Sequence, residues 1–317
     1  MGTHIMFDAF GNGKARADAQ HRPLSPAINA EEGDIELIGE GRVHYYADVR
    51  TRGRPVVLVH SVNAAASSYE MRPLFEALRA TRRVFALDLP GFGLSARAQR
   101  PYTREGYARA IERFVVDVAS PQGVPCDVVA LSLSCEFVAR AAVASPSLFH
   151  SLTLLSPTGL GRTKGSPLTR SIRSRALATA LSVKPLARGL VALVTTERSV
   201  RYFLEKSFVG PVDEGLVSYA VRSGREPGAE HAPTEFLKGA LFTPDAARSL
   251  YAPLRVPTEV LYDEDPYTDF DKLAGLVDIN PALHATRVAP SRGMSQFEHT
   301  AAVVAAIDRE TSPPLRT

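Results

Sequence analysis

The sequence predicts an α/β fold with a mostly parallel central sheet, helices on both faces and a helical insertion. Three observations predict it. Short, continuous apolar runs bounded by turn residues have the pattern of strands buried on both faces of a parallel sheet. Amphipathic stretches of helical periodicity alternate with those runs, as in doubly wound folds. Residues 161–250 break the rhythm with helical periodicity and no convincing strand, over a length too great for a crossover loop.

Taken in order, "DIELIGEG" and "RVHYYADV" alternate apolar and polar residues and read as two antiparallel strands on an exposed sheet edge. The buried-strand runs are "PVVLVH" (55–60), "RVFALDLPG" (83–91), "DVVALSL" (127–133), "SLTLLSPTG" (151–159), "PTEVLYDED" (257–265) and "ATRVAPSRG" (285–293). Helices are expected over "SYEMRPLFEALRAT", "TREGYARAIERFVVDVA", "CEFVARAAVAS" and "HTAAVVAAIDRE". The division that follows is a leader over 1–30, a core over 31–160 and 251–310, and a helical cap over 161–250. The cap is expected over the carboxyl edge of the sheet, where open α/β sheets bind ligands.

Composition narrows the partners. The chain has 317 residues, 45% hydrophobic and 22% charged, with 37 Lys+Arg against 34 Asp+Glu in an interspersed pattern. That balance offers no electrostatic case for nucleic acid. The basic cluster "TRSIRSRALA" (169–178) reads as a solvated helix face. No apolar run approaches the ~18 residues of a membrane span, and the start lacks a secretory apolar core. "MGTHIM" reads as an expression leader and "TSPPLRT" as a loose tail. Cys126 and Cys135 flank a predicted strand, and extended residues at ~3.3 Å each hold them beyond the ~7 Å Cα limit of a disulfide. The expectation is reduced thiols, a cytoplasmic location, and a monomer or homodimer acting on a small molecule.

The chemistry gathers in three stretches. "VLVHSVNAAASSYEM" is a strand ending in His60, followed by a small-residue loop. "ALDLPGFGLS" is a strand with a Gly-rich turn. "VVALSLSCEFVARAA" is strand, sharp turn and helix, with small residues at Ala130 and Ser134 on either side of Ser132. In this order they resemble the α/β-hydrolase superfamily over roughly residues 35–310, with the G-x-S-x-G elbow present as A-L-S-L-S. The resemblance implies an α/β-hydrolase fold with Ser132 as nucleophile. It also implies the N–H groups of Leu133 and Val62 as an oxyanion hole, with His60 fixing that loop. Ser61 stands where the family carries glycine, so a side chain enters a normally bare loop. The family's acid follows the strand after the insertion; in "LYDEDPYTDFD" Asp265, before Pro266, is the candidate, with Asp263 as rival.

The family's histidine comes after the last strand, typically as Gly-His-x-x-His-x-Glu. This chain reads "PSRGMSQFEHTAAVV", which puts Gly293 at the catalytic position and Gln296 at the second histidine. Neither accepts a proton from serine near neutral pH. His299 is the candidate replacement in a Ser132, Asp265, His299 set, with His60, His231 and Glu136 also weighed. Cys135, at a helix N-terminus, is either an activated thiolate or a small packing residue.

Three readings remain open at this stage. One is a hydrolase of a small to medium apolar ester or carbonyl substrate with a displaced base. The second is a lyase or cyclase using the same pocket, as in natural-product biosynthesis. The third is a non-catalytic binding protein. No metal-ligand spacing and no dinucleotide fingerprint appear, so no cofactor is expected.

Overall fold

The computed structural model describes residues 23–161, 179 and 181–311. Eight strands form one sheet in the order β1-β2-β4-β3-β5-β6-β7-β8. These are β1 (Glu31–Leu37), β2 (Gly41–Asp48), β3 (Pro55–Val59), β4 (Arg83–Leu87), β5 (Cys126–Leu131), β6 (Phe149–Leu155), β7 (Thr258–Tyr262) and β8 (Leu283–Arg287). β1 pairs with β2 and β2 with β4 antiparallel, and the remaining neighbours are parallel. The central strands β3 and β5 are buried at every position, which is why they read as unbroken apolar runs.

The last strand departs from expectation. It runs over Leu283–Arg287, ahead of the 285–293 stretch, and its burial falls mainly on Leu283. As the edge strand it has one neighbour, β7, so it needs no continuous apolar sequence. The stretch from 288 onward belongs to the loop that carries the site.

Helices cover both faces: α1 (Arg72–Leu78), α2 (Arg104–Phe114), α3 (Ser134–Ala144), α8 (Leu273–Ile279), α9 (Ser295–Glu298) and α10 (Thr300–Thr311). The Thr103 side chain caps α2 by accepting from Gly106 N at 3.0 Å. Its inward face buries Tyr107, Ala110, Ile111 and Phe114, and Tyr107 stacks on Phe137 of α3 at 4.9 Å. Burial of a side chain the size of Ile111 or Phe114 is worth about 1.5–3 kcal/mol.

Between β6 and β7 lie α4 (Lys184–Val194), α5 (Glu197–Ser207), α6 (Glu214–Ser223) and α7 (His231–Leu237). Asp213 caps α6 through Leu216 N. Tyr219 of α6 packs on Tyr69 at 5.3 Å, and Ala65 joins the small core of Val200, Val217, Ala220 and Val221. Gly91, at φ +89, lies so close to Ala232 of α7 that a Cβ there would meet it at 2.5 Å. These helices therefore rest on the loops that leave the carboxyl ends of β3 and β4.

Residues 23–30, expected with the leader, are packed: Leu24, Ala27 and Ile28 are buried, and Ala27 N donates to the Tyr46 hydroxyl at 2.9 Å. Residues 1–22, the basic cluster 169–178 and the tail from 312 lie outside the described residues. No described helix is long and apolar enough to cross a membrane.

Candidate active site

The site is built where β5 turns into α3. Ser132 takes φ +56, a left-handed conformation that costs a non-glycine residue about 1–2 kcal/mol. Hydrogen bonds on both sides hold it there: Ser132 N donates to Leu155 O at 2.8 Å and its carbonyl accepts from Cys135 N at 3.1 Å. Ala130 and Ser134 are fully buried beside it, and Ser134 Oγ donates to the His60 carbonyl at 2.5 Å. The elbow is thus tied directly to the loop after β3. The Cys135 thiol lies in the core against Ala130 O and Leu155 O. Burial pushes its pKa well up, so it packs as a small apolar residue and is no thiolate.

Polar groups in the β3 loop are heavily committed. His60 is wholly buried; its Nε2 accepts from Leu89 N at 2.9 Å, which leaves the proton on Nδ1, donated to Ser61 O at 2.5 Å. Both ring nitrogens are used, so the ring fixes the loop and has no lone pair for Ser132. Ser61 gives its N–H and its hydroxyl to Glu70, at 2.8 and 3.0 Å, and Asn63 Nδ2 adds a third donor to the same carboxylate at 3.0 Å. The side chain that replaces glycine at 61 is therefore an anchor. Gln296, at the second histidine position, is also wholly buried and donates to the Glu70 carbonyl at 3.2 Å. The two departures from the family pattern meet on one residue, Glu70, which the sequence hid inside an apparently ordinary helical stretch. Val62 and Leu133 are buried, and neither N–H has a protein acceptor among the described hydrogen bonds. That is the state an oxyanion hole requires.

The acidic loop after β7 separates its two candidates. Asp263 faces burial, but the Ser291 N–H at 2.8 Å and the Arg287 guanidinium at 2.6 Å hold it below the usual carboxylate range. It clasps β7 to β8 and its following loop. Asp265 uses Oδ1 to accept from Tyr267 N at 2.7 Å and Thr268 N at 3.2 Å. Burial pushes its carboxyl up to about 6, against the pull of those bonds and of the Ser156 hydroxyl. Ser156, at the tip of β6, also has a left-handed backbone, φ +43. Nothing in "LLSPTG" beyond a turn signal marked it.

Gly293 sits where the resemblance places the base, and it faces the acid. A Cβ built on it would lie 2.7 Å from Asp265 Oδ2 and 3.9 Å from Ser156 Oγ. Its φ is +103, a conformation that L side chains rarely adopt. The backbone here has a form that strains any side chain as well as lacking one.

The other weighed bases are engaged elsewhere. His299 Nε2 lies 2.7 Å from the Pro290 carbonyl, which turns it to the loop below the helix. His231 Nδ1 lies 3.0 Å from Arg97 O. Glu136 is buried, and its carboxylate accepts from Thr158 Oγ1 at 2.5 Å and Thr243 N at 2.7 Å. No described histidine is hydrogen-bonded to Ser132. Two cavities open beside Asp265. One of about 250 Å³ lies between it, Glu264, Pro266, Lys206 and Arg292; the other, about 470 Å³, follows its own loop from Asp263 to Asp271.

A search of curated protein sequences finds no significant match. Solved structures share the architecture. A serine hydrolase involved in carbazole degradation is 17% identical with a TM-score of 0.70, over 89% of this chain and 99% of that one. A carboxylesterase from Bacillus subtilis is 16% identical at 0.65, over 90% and 92%. A meta-cleavage product hydrolase from Pseudomonas fluorescens is 16% identical at 0.65, over 88% and 98%. At these identities the likeness is one of fold. The sequence model of the alpha/beta hydrolase family matches residues 56–306, and with it the chain belongs to that family.

Proposed function

We propose that the protein is an enzyme that polarises a carbonyl group at the tips of β3 and β5 and completes its reaction without a serine–histidine acyl-enzyme relay, as a lyase or cyclase does. The observation that carries this reading is Gly293. Its φ of +103 strains any side chain, and a Cβ there would meet Asp265 Oδ2 at 2.7 Å, so position 293 supplies no imidazole between acid and serine. An acyl-enzyme cycle needs a base that takes the serine proton and returns it to the leaving group. In the proposed reaction the Val62 and Leu133 N–H groups hold the carbonyl oxygen and the Ser132 hydroxyl is a further donor. The loss of the base protects an activated substrate from hydrolysis.

The hydrolase reading, with a displaced base, keeps one specific observation in its favour: Ser132 still bears the strain of the elbow at φ +56. The test is p-nitrophenyl butyrate, mixed in excess with the protein and followed for nitrophenol release, with the denatured protein then weighed. The expected result is no burst and no butyryl adduct. A stoichiometric burst with the adduct on the Ser132 peptide would overturn the proposal in favour of the hydrolase.

A further inference from the structure

We propose that Asp265 is the proton-transfer group of this site and acts on the substrate directly, removing a proton from the carbon beside the carbonyl held at Val62 and Leu133, with the Ser156 hydroxyl steadying its carboxylate. The inference rests on the reading of the site as one without an acyl-enzyme step.

The geometry divides the work between the two carboxylate oxygens. Oδ1 is fixed to its own loop by Tyr267 N and Thr268 N. Oδ2 is the oxygen turned to position 293, where a histidine side chain would normally receive it. With glycine there, position 293 offers Oδ2 no side-chain donor, and the Ser156 hydroxyl is the side-chain donor to this carboxylate. The strand order supports the placement: β6 lies between β5 and β7, so Ser156 stands at the tip between Ser132 and the Asp265 loop. The chain links these tips in sequence, Ser132 N to Leu155 O and Ser156 N to Leu261 O. Asp265 also borders two cavities at this edge, which are lined by its own loop with Lys206 and Arg292.

The substrate class follows from the chemistry. It is a carbonyl compound with a C–H next to the carbonyl and a leaving group, such as a carboxylate or hydroxyl, one carbon further on. The Asp265 carboxylate takes the proton; the C–H electron pair moves into a carbon–carbon double bond as the carbonyl oxygen takes up the negative charge at the two N–H groups. The enolate then re-forms the carbonyl and expels the leaving group with its electron pair. The proton on Asp265 passes to that group or to water. A base suits this task when its pKa lies near the working pH, and burial sets Asp265 near 6. The charged groups around it are Asp263, Glu264, Asp269 and Asp271 of its own loop, Lys206 of α5 and Arg292 beside Gly293.

The test uses 5-nitrobenzisoxazole, which loses one C–H proton to a desolvated carboxylate as its N–O bond breaks to give a coloured phenolate. The expected profile rises with pH about a midpoint near 6. Asp265→Asn lowers the rate by about a hundredfold, Ser156→Ala moves the midpoint up, and His299→Ala keeps the wild-type profile. An Asp265→Asn rate equal to wild type, or a flat wild-type profile between about pH 5 and 8, would overturn the proposal. Should Asp265→Asn fail to fold, the wild-type protein labelled with carboxyl-13C aspartate decides. A resonance titrating near 6 that shifts when Ser156 is replaced supports the inference, and titration of every aspartate below about 4.5 contradicts it. The probe contains no ester, so its outcome is independent of acyl transfer. A butyryl adduct alongside Asp265-dependent proton removal would sink the function reading alone. No adduct and no proton removal would sink Asp265 alone.

Discussion

The two ends of the site differ in how their polar groups are used. At the β3 end, both nitrogens of His60 are bonded, and Glu70 collects Ser61 N, Ser61 Oγ and Asn63 Nδ2. At the β7 end, Asp265 has one oxygen fixed and the other turned to a glycine. The first end is a fully bonded cradle; the second holds a carboxylate whose pKa burial has raised. On the proposed reading, the loop that would polarise a carbonyl is firmly braced, while position 293 carries no base for an acyl-transfer relay. Neutral drift of a dead enzyme gives no reason for the first half of that pattern.

Breaking the cradle has the largest effect. Glu70→Ala leaves three donors without their acceptor in a buried setting, and at about 1–3 kcal/mol each, less what water recovers, the loss is about 3–5 kcal/mol in urea unfolding. Glu70→Gln, which still accepts, loses less than half of that.

Filling the glycine comes next. Gly293→Ala meets Asp265 Oδ2 at 2.7 Å in a backbone form unsuited to a side chain, and costs about 2–3 kcal/mol by the same assay. Gly293→His restores the family's sequence and not its geometry. It is expected to lose comparable stability and to gain no esterase activity. An active Gly293→His enzyme would show that only the side chain was missing.

Asp265 sharpens the contrast through pH. Its folded pKa of about 6 exceeds the ordinary 3.8, so the folded state keeps a proton that the unfolded chain has lost between those values. Stability therefore falls as pH rises through that window and stays lower above it. Asp265→Asn removes the penalty, and its Tm exceeds that of wild type by about 2–4 °C at pH 8 for each kcal/mol recovered, with no gain near pH 3. A variant less stable than wild type at pH 8 would contradict this sign. His299→Ala has the smallest effect, under about 1 kcal/mol at any pH, because it removes one half-exposed bond to Pro290 O.

The sequence made the scaffold legible because scaffold rules are local. A run such as "PVVLV" is apolar because both faces are covered, and the elbow at Ser132 announces itself through small flanking residues. The apolar run at 285–293 points to β8 too late in the chain because an edge strand needs little apolar patterning. The missing base was legible as a glycine at 293, but its positive φ and its approach to Asp265 depend on a loop almost thirty residues away in sequence. Glu70 was illegible for a related reason. A carboxylate in "SSYEMRPL" has the spacing of a solvated helix face, and only the fold brings Ser61 and Asn63 to it and Gln296 to the backbone carbonyl of the same residue. His299 shows the converse: a plausible distance in sequence, with its ring turned to a backbone carbonyl.

The most direct test of the central claim is the intact mass of the folded protein after incubation with a fluorophosphonate, with Ser132→Ala alongside. The account predicts no adduct on either, because Ser132 has no base. A single adduct on wild type that disappears in Ser132→Ala would contradict it, and would return the protein to the serine hydrolases.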